Sequence, residues 1–384
     1  RVYTKFGAGA PFPAGSTTGL GFTSLDPASR SGLYRTTLNG LKNTPSFRSN
    51  VAIANLCGFT GTPCATLSMS LEFFDDATGL QVGSKDLQVP PNTVAQLNAP
   101  LADFPGAVGE TFSVIIQPYQ SGFANYDAYA TVVSNANQDA AFIRATGNAN
   151  SYTVTLSVVT DAGGIGTRFS SECAVTNTGG GTAVADVTFT SARTGNKVQE
   201  VLTLDPRRGV RYANAVDHYR QLAPSLVGAD DFGSIRIAFR EFANGIATAR
   251  TVASNGTGLG YDGLDPYLSR ASRKKRIIGL TQSDAVRTNL AVVHLGATTG
   301  DLEAPITMRV TVTDRNGNRV GEPLVQTLAP GNLFQWTRIL SDFVGVTGEG
   351  YVATIERIAG NDAFDAYVTL IDNVSSDPTF LRAE

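Results

Sequence analysis

Phe47-Arg48-Ser49-Asn50-Val51-Ala52-Ile53-Ala54-Asn55 alternates apolar residues with small or polar ones, the two-residue period of a strand with one buried face. The pattern returns as Phe169-Ser170-Ser171-Glu172-Cys173-Ala174-Val175-Thr176-Asn177 and again as Val286-Arg287-Thr288-Asn289-Leu290-Ala291-Val292-Val293-His294. Asn55, Asn177 and His294 mark one position in it, and the copies lie about 120 residues apart. A chain of 384 residues therefore reads as three copies of one unit, each of ordinary domain size.

Downstream of each opening strand the copies stay parallel. Leu67–Phe73, Val187–Thr190 and Ile306–Thr313 are second strands. Each runs into a Gly-containing turn: Asp76-Ala77-Thr78-Gly79, Arg193-Thr194-Gly195-Asn196 and Arg315-Asn316-Gly317-Asn318. Asn316-Gly317 predicts a two-residue type I′ hairpin turn, in which both central residues need positive φ. Prolines at 90, 206 and 330 end a third strand, and 334–340 predicts a short helix. Tyr126–Val133 and Phe364–Ile371 close the first and third copies, with Ile246–Ala253 as the more divergent counterpart.

About seven short strands per copy predict an all-β chain. It would consist of three tandem immunoglobulin-like or jelly-roll-like β-sandwich modules behind an extended N-terminal arm. The boundaries are 1–34 for the arm, 35–145 and 146–257 for the first two modules, and 258–384 for a linker and the third module. Over residues 35–384 the pattern resembles the repeated β-sandwich modules of bacterial secreted surface and adhesin-type proteins. That resemblance implies a surface or interaction protein.

The bulk properties agree with this class. Hydrophobic residues at 42% allow a core in each module, and a net charge of −3 gives no global attraction to nucleic acid or anionic membrane. No apolar run is long enough to span a bilayer. The chain begins at Arg1, as expected after removal of a leader, and is expected to be extracellular or at the cell surface. Cys57 and Cys64 flank a turn-like insert and predict a disulfide, hence an oxidising compartment; Cys173 falls on an apolar repeat position and predicts a buried core residue.

The arm carries Val2, Tyr3, Phe6 and Phe12. It also carries a segment, Gly19-Leu20-Gly21-Phe22-Thr23-Ser24-Leu25-Asp26-Pro27, that matches Gly258-Leu259-Gly260-Tyr261-Asp262-Gly263-Leu264-Asp265-Pro266. The second copy of this motif stands between modules two and three, whereas the first has no module before it. The mismatch predicts an arm that docks on a neighbouring subunit through Val2, Tyr3, Phe6, Phe12, Leu20, Phe22 and Leu25. The result is a head-to-tail assembly by strand addition.

Enzyme chemistry finds little footing. Only His218 and His294 are present, and His294 takes a place held by Asn in the other copies. No nucleophile elbow, zinc-binding helix, phosphate loop or dinucleotide fingerprint occurs. Asp75-Asp76 reads as a turn pair, and Asp127 and Asp365 recur within the repeat, which predicts a scaffold role rather than a glycosidase pair. Asp314-Arg315-Asn316-Gly317-Asn318 lacks the distal Glu of a calcium loop. Arg273-Lys274-Lys275-Arg276 reads as a solvated linker or a protease-sensitive site. No catalytic residue, cofactor or metal is assigned. The expected partners are further copies of the chain or other surface proteins. The alternative reading is a monomeric adhesin binding a glycan or another ligand through Tyr119, Tyr126, Tyr267 and Trp336.

Overall fold

A computed structural model describes residues 35–56, 65–119, 125–147, 153–164, 166–240, 245–266, 272–296 and 303–384, together with the backbone of two arm strands, β1 (Val2–Gly7) and β2 (Thr17–Phe22). Cys57, Cys64, Phe12, Leu25 and Tyr267 lie outside the described residues.

The first module contains β3 (Thr36–Asn43), β4 (Phe47–Asn55), β5 (Leu67–Asp75), β6 (Gln81–Val89), β7 (Val94–Leu97), β8 (Gly109–Pro118), β9 (Tyr126–Ser134) and β10 (Ala140–Arg144); the two-residue β11 (Thr146–Gly147) pairs back onto β3. The second contains β12 (Thr153–Gly163), β13 (Arg168–Asn177), β14 (Ala183–Ser191), β15 (Lys197–Leu204), β16 (Gly209–Tyr212), α1 (Ala215–Leu222), β17 (Asp231–Phe239), β18 (Gly245–Ala253) and β19 (Gly258–Asp262). The third contains β20 (Lys274–Gln282), β21 (Val286–Gly296), β22 (Ile306–Thr313), β23 (Arg319–Leu328), β24 (Leu333–Trp336), β25 (Gly348–Ala359), β26 (Ala363–Asp372) and β27 (Pro378–Arg382).

One strand order serves all three. The first sheet runs β6-β5-β8-β3, β15-β14-β17-β12 and β23-β22-β25-β20; the second runs β7-β4-β9-β10, β16-β13-β18-β19 and β24-β21-β26-β27. Each module is thus a sandwich of eight antiparallel strands. Its first two strands belong to opposite sheets, joined at a corner in the first two modules by short pairings such as Asn43↔Arg48. That order departs from the constant-type immunoglobulin sandwich, where the first two strands are neighbours in one sheet. The sequence pattern missed the strand that precedes each opening strand.

Alternation fills the interior. Met69, Leu71 and Phe73 on β5, Val187 and Phe189 on β14, and Met308 and Val310 on β22 point into three separate cores. Full burial of such a side chain contributes about 2 kcal/mol. Gly245 sits where the other modules have Tyr126 and Phe364, and the Phe239 ring fills the vacated space: a Cβ on Gly245 would fall 1.8 Å from it.

The hairpin turns differ from the expected type I′. Gly79, Gly195 and Gly317 are left-handed, but Asn316 is not. Each turn is closed by the glycine amide donating to the carbonyl of Asp75, Ser191 or Asp314. The side chain of that same residue accepts further turn amides: Ala77 and Thr78 for Asp75, Arg193 and Thr194 for Ser191, and Asn316 and Asn318 for Asp314. A longer turn with one positive φ satisfies more backbone donors than a two-residue turn does. The helix expected over 334–340 is strand β24 followed by one π-helical turn, Ile339–Val344. Its counterparts are a 3-10 turn, Pro100–Asp103, and α1, whose first turn is capped by Asn214 accepting from Asp217 N.

Candidate functional site

The polar residues singled out in the sequence sit in structural settings. The side-chain amide of Asn55 donates to the carbonyls of Ala65 and Val89, and that of Asn177 to Gly181, Leu204 and Asp205. His294 does the same work with a ring: Nδ1 accepts from Gly296 N at 2.9 Å and Nε2 donates to the Ala304 carbonyl at 2.9 Å. Burial holds its pKa below the ordinary imidazole value. His218 on α1 meets Glu200 at 3.1 Å, and Tyr212 Oη donates to the same carboxylate at 2.8 Å. Nearby Cys173 is buried in the second core, and burial pushes its thiol pKa well up, the opposite of what a nucleophile requires.

Asp127 pairs with Arg144 and Asp365 with Arg382, the same strand-to-strand contact in modules one and three. Arg273-Lys274-Lys275-Arg276 is no solvated linker: Lys274 begins β20, and Lys275 is buried with its ammonium 5.4 Å over the Phe364 ring. The aromatics named for glycan contact do not gather. Tyr126 and Trp336 are core residues, whereas Tyr119 is exposed and donates to Asp86.

What the structure brings together are the junctions between modules, which no local sequence signal marks. Between the first and second modules, Glu172 receives Lys42 at 2.6 Å, Arg211 at 2.7 Å and Arg250 at 3.8 Å. Phe47 lies against both Lys42 and Arg250. Burial pushes the Glu172 carboxyl pKa up, but Lys42 and Arg250 outweigh it and hold it below the usual range. Asp76 is buried beside Thr176, and burial raises it to about 7; Asp139 is buried near Arg250, and burial raises it to about 6.

Between the second and third modules the contacts are more aromatic. Tyr261 stacks on Phe380 with centroids 5.4 Å apart, and Phe380 also meets Tyr367. Ser157 donates to Asp365 at 2.7 Å, Ser234 to the Gly331 carbonyl at 2.6 Å, and Arg236 pairs with Glu303. Asp262 stands where the other modules have Arg144 and Arg382, and it reaches across to Arg382 at 3.2 Å.

The closing strands carry the two junctions. Gly258–Asp262, assigned from the sequence to the linker, is β19, paired to β18 and closing the second sandwich. β19 lies against β10 of the first module and β27 of the third. The close approach depends on Gly260, where a Cβ would sit 2.7 Å from the Phe142 carbonyl oxygen. Phe142 and Phe380 hold the same position on β10 and β27. The arm strand β2, which carries the matching Gly19-Leu20-Gly21-Phe22, forms a hairpin with β1 that sets Val2 opposite Phe22, Tyr3 opposite Gly21, Leu20 opposite Thr4 and Phe6 opposite Thr18. β2 lies against β27 and β10. The four strands thus follow one another cyclically, β10, β19, β27, β2.

No family model and no curated protein matches the chain. Among solved structures it is similar to Streptomyces avermitilis alpha-L-rhamnosidase complexed with L-rhamnose, at 9% identity and a TM-score of 0.20. The alignment covers 98% of this chain and 45% of that one, so the chain spans less than half that enzyme's length. A TM-score this low carries no activity across.

Proposed function

We propose that this chain is an extracellular structural subunit that assembles head to tail, the arm of one copy docking on the modules of the next. The carrying observation is the seat of β2 between β10 and β27, in cyclic order with its sequence counterpart β19. A seat that accepts the chain's own arm accepts the identical arm of a neighbour equally well. Residues 23–34 join β2 to the first module, and twelve residues reach about 40 Å when extended, enough to cross to another copy. Passed on head to tail, exchange of this kind is heterologous and builds an open assembly where its rotation does not close a ring. The extracellular setting rests on the Cys57 and Cys64 spacing.

Sedimentation velocity and negative-stain imaging of the full chain test the assembly. Concentration-dependent oligomers are expected, reduced to monomers on deletion of residues 1–22 and blocked by an added 1–22 peptide. Monomers at every concentration, or assembly untouched by the deletion, would overturn it.

A further inference from the structure

The second and third modules face each other across a cleft of about 480 Å³, within the range of small-molecule sites. Its walls are aromatic: Phe169 and Phe232 from one module, Tyr367 and Phe380 from the other. Two guanidinium groups line it. Arg193 is exposed, on the turn after β14, with its guanidinium 5.5 Å from the Phe232 ring centre. Arg287 is 4% exposed, on β21, and donates to the Asn373 side-chain carbonyl. Asp372 stands behind it, accepting the amides of Val374 and Ser375. No Asp or Glu lines the cleft among the described residues; the other polar groups are neutral, Gln335 and Asn289 among them. Tyr367, only 2% exposed, lines it with its ring, its hydroxyl being buried near Asp365 and Tyr261.

Two lining cations without a lining carboxylate and four aromatic rings define one ligand chemistry. We propose that this cleft binds a small organic anion, an acidic group carried on a flat apolar or aromatic body. The acid meets Arg193 and Arg287, and the body lies between Phe232 and Phe380. A neutral polyol is the poorer match, because no carboxylate is there to accept its hydroxyls. The site does not involve the arm, so its failure would leave the assembly proposal intact.

The test uses the full chain and two fluorescent probes of similar shape, anionic 1-anilinonaphthalene-8-sulfonate and neutral N-phenyl-1-naphthylamine. One anilinonaphthalenesulfonate site per chain is expected, at least tenfold tighter than the neutral probe and displaced by phenylacetate. Arg193→Gln and Arg193→Lys alter only an exposed side chain, so both variants should keep the wild-type melting temperature. Arg193→Gln should weaken the anionic probe fivefold or more while leaving the neutral one unchanged, and Arg193→Lys, which keeps the charge, should not. Equal affinity for the two probes, or an Arg193→Gln variant that binds the anion as wild type does, would overturn the proposal.

Discussion

The backbone amide of Gly258 donates to the Asp139 carboxylate across 2.7 Å, tying the first residue of one module's closing strand to the turn that leads into another's. The bond is buried, and its acceptor comes from a module whose own strand begins one residue later, at Ala140.

Burial of Asp139 and Asp76 makes this junction sensitive to pH. Burial raises both carboxyls, to about 6 and about 7, above the unfolded value near 3.8. Between those values the folded chain keeps protons that the unfolded chain has released, so their contribution is greatest in acid and is lost as pH rises through 7. Asp76→Asn removes one titration. The variant is therefore expected to gain stability on wild type as pH goes from 5 to 8, read by urea midpoints at each pH. A pH-independent difference would contradict the assignment.

Glu172 carries the other half of the junction. Three cations converge on it, so Glu172→Gln strands Lys42 and leaves Arg211 only Glu110 and Arg250 only the more distant Asp139, whereas Lys42→Met leaves the carboxylate two arginines. Breaking such a buried cluster costs about 3 kcal/mol, and the Lys42 change should cost less than half of that. Equal losses in denaturant melts would mean that the cluster is solvated.

These charges also mark where sequence reading stops. The alternation of Val51, Ile53 and their counterparts announces strands because strand burial has a two-residue period that one segment displays alone. Asn55, Asn177 and His294 are legible because they recur. Lys42 and Glu172 are 130 residues apart, and nothing local to either distinguishes a junction ion from a solvated one. Lys275 shows the error this causes: a run of four basic residues reads as exposed linker, yet alternation along β20 turns the third one inward over Phe364. The likeness of 19–27 to 258–266 is legible, but residues 258–262 are a strand and not a linker: Gly258 and Gly260, alternating with Leu259 and Tyr261, weaken the signal by which strands are recognised.

Gly260 should be intolerant of a side chain for a reason outside its own module. Its backbone accepts any residue's conformation, but a Cβ would meet the Phe142 carbonyl at 2.7 Å and the Ala141 methyl at 3.3 Å. Gly260→Val is expected to cost about 2 kcal/mol by crowding. Amide exchange should quicken in β10 and β19, while β14 and β17 of the second core keep their protection. Uniform loss of protection across the module would place the damage in the core instead.

His294 offers the sharpest separation of structure from chemistry. Both ring nitrogens are committed to backbone groups, so His294→Ala leaves the buried Gly296 amide without this partner and frees the more exposed Ala304 carbonyl, at about 2 kcal/mol. His294→Asn should recover part of that, since Asn55 and Asn177 serve the equivalent loops through carbonyl acceptors. The two variants also differ in acid. Burial holds the folded imidazole below its ordinary pKa, so below about 6.5 the unfolded chain takes up a proton that the folded chain refuses. Stability from this source is full above that pH and is lost as pH falls. Wild type should therefore lose ground to His294→Asn between pH 6.5 and 5, and thermal melts across that window would show it. Parallel melting curves for the two proteins would mean that the ring is protonated equally in both states, and the buried neutral histidine would have to be abandoned.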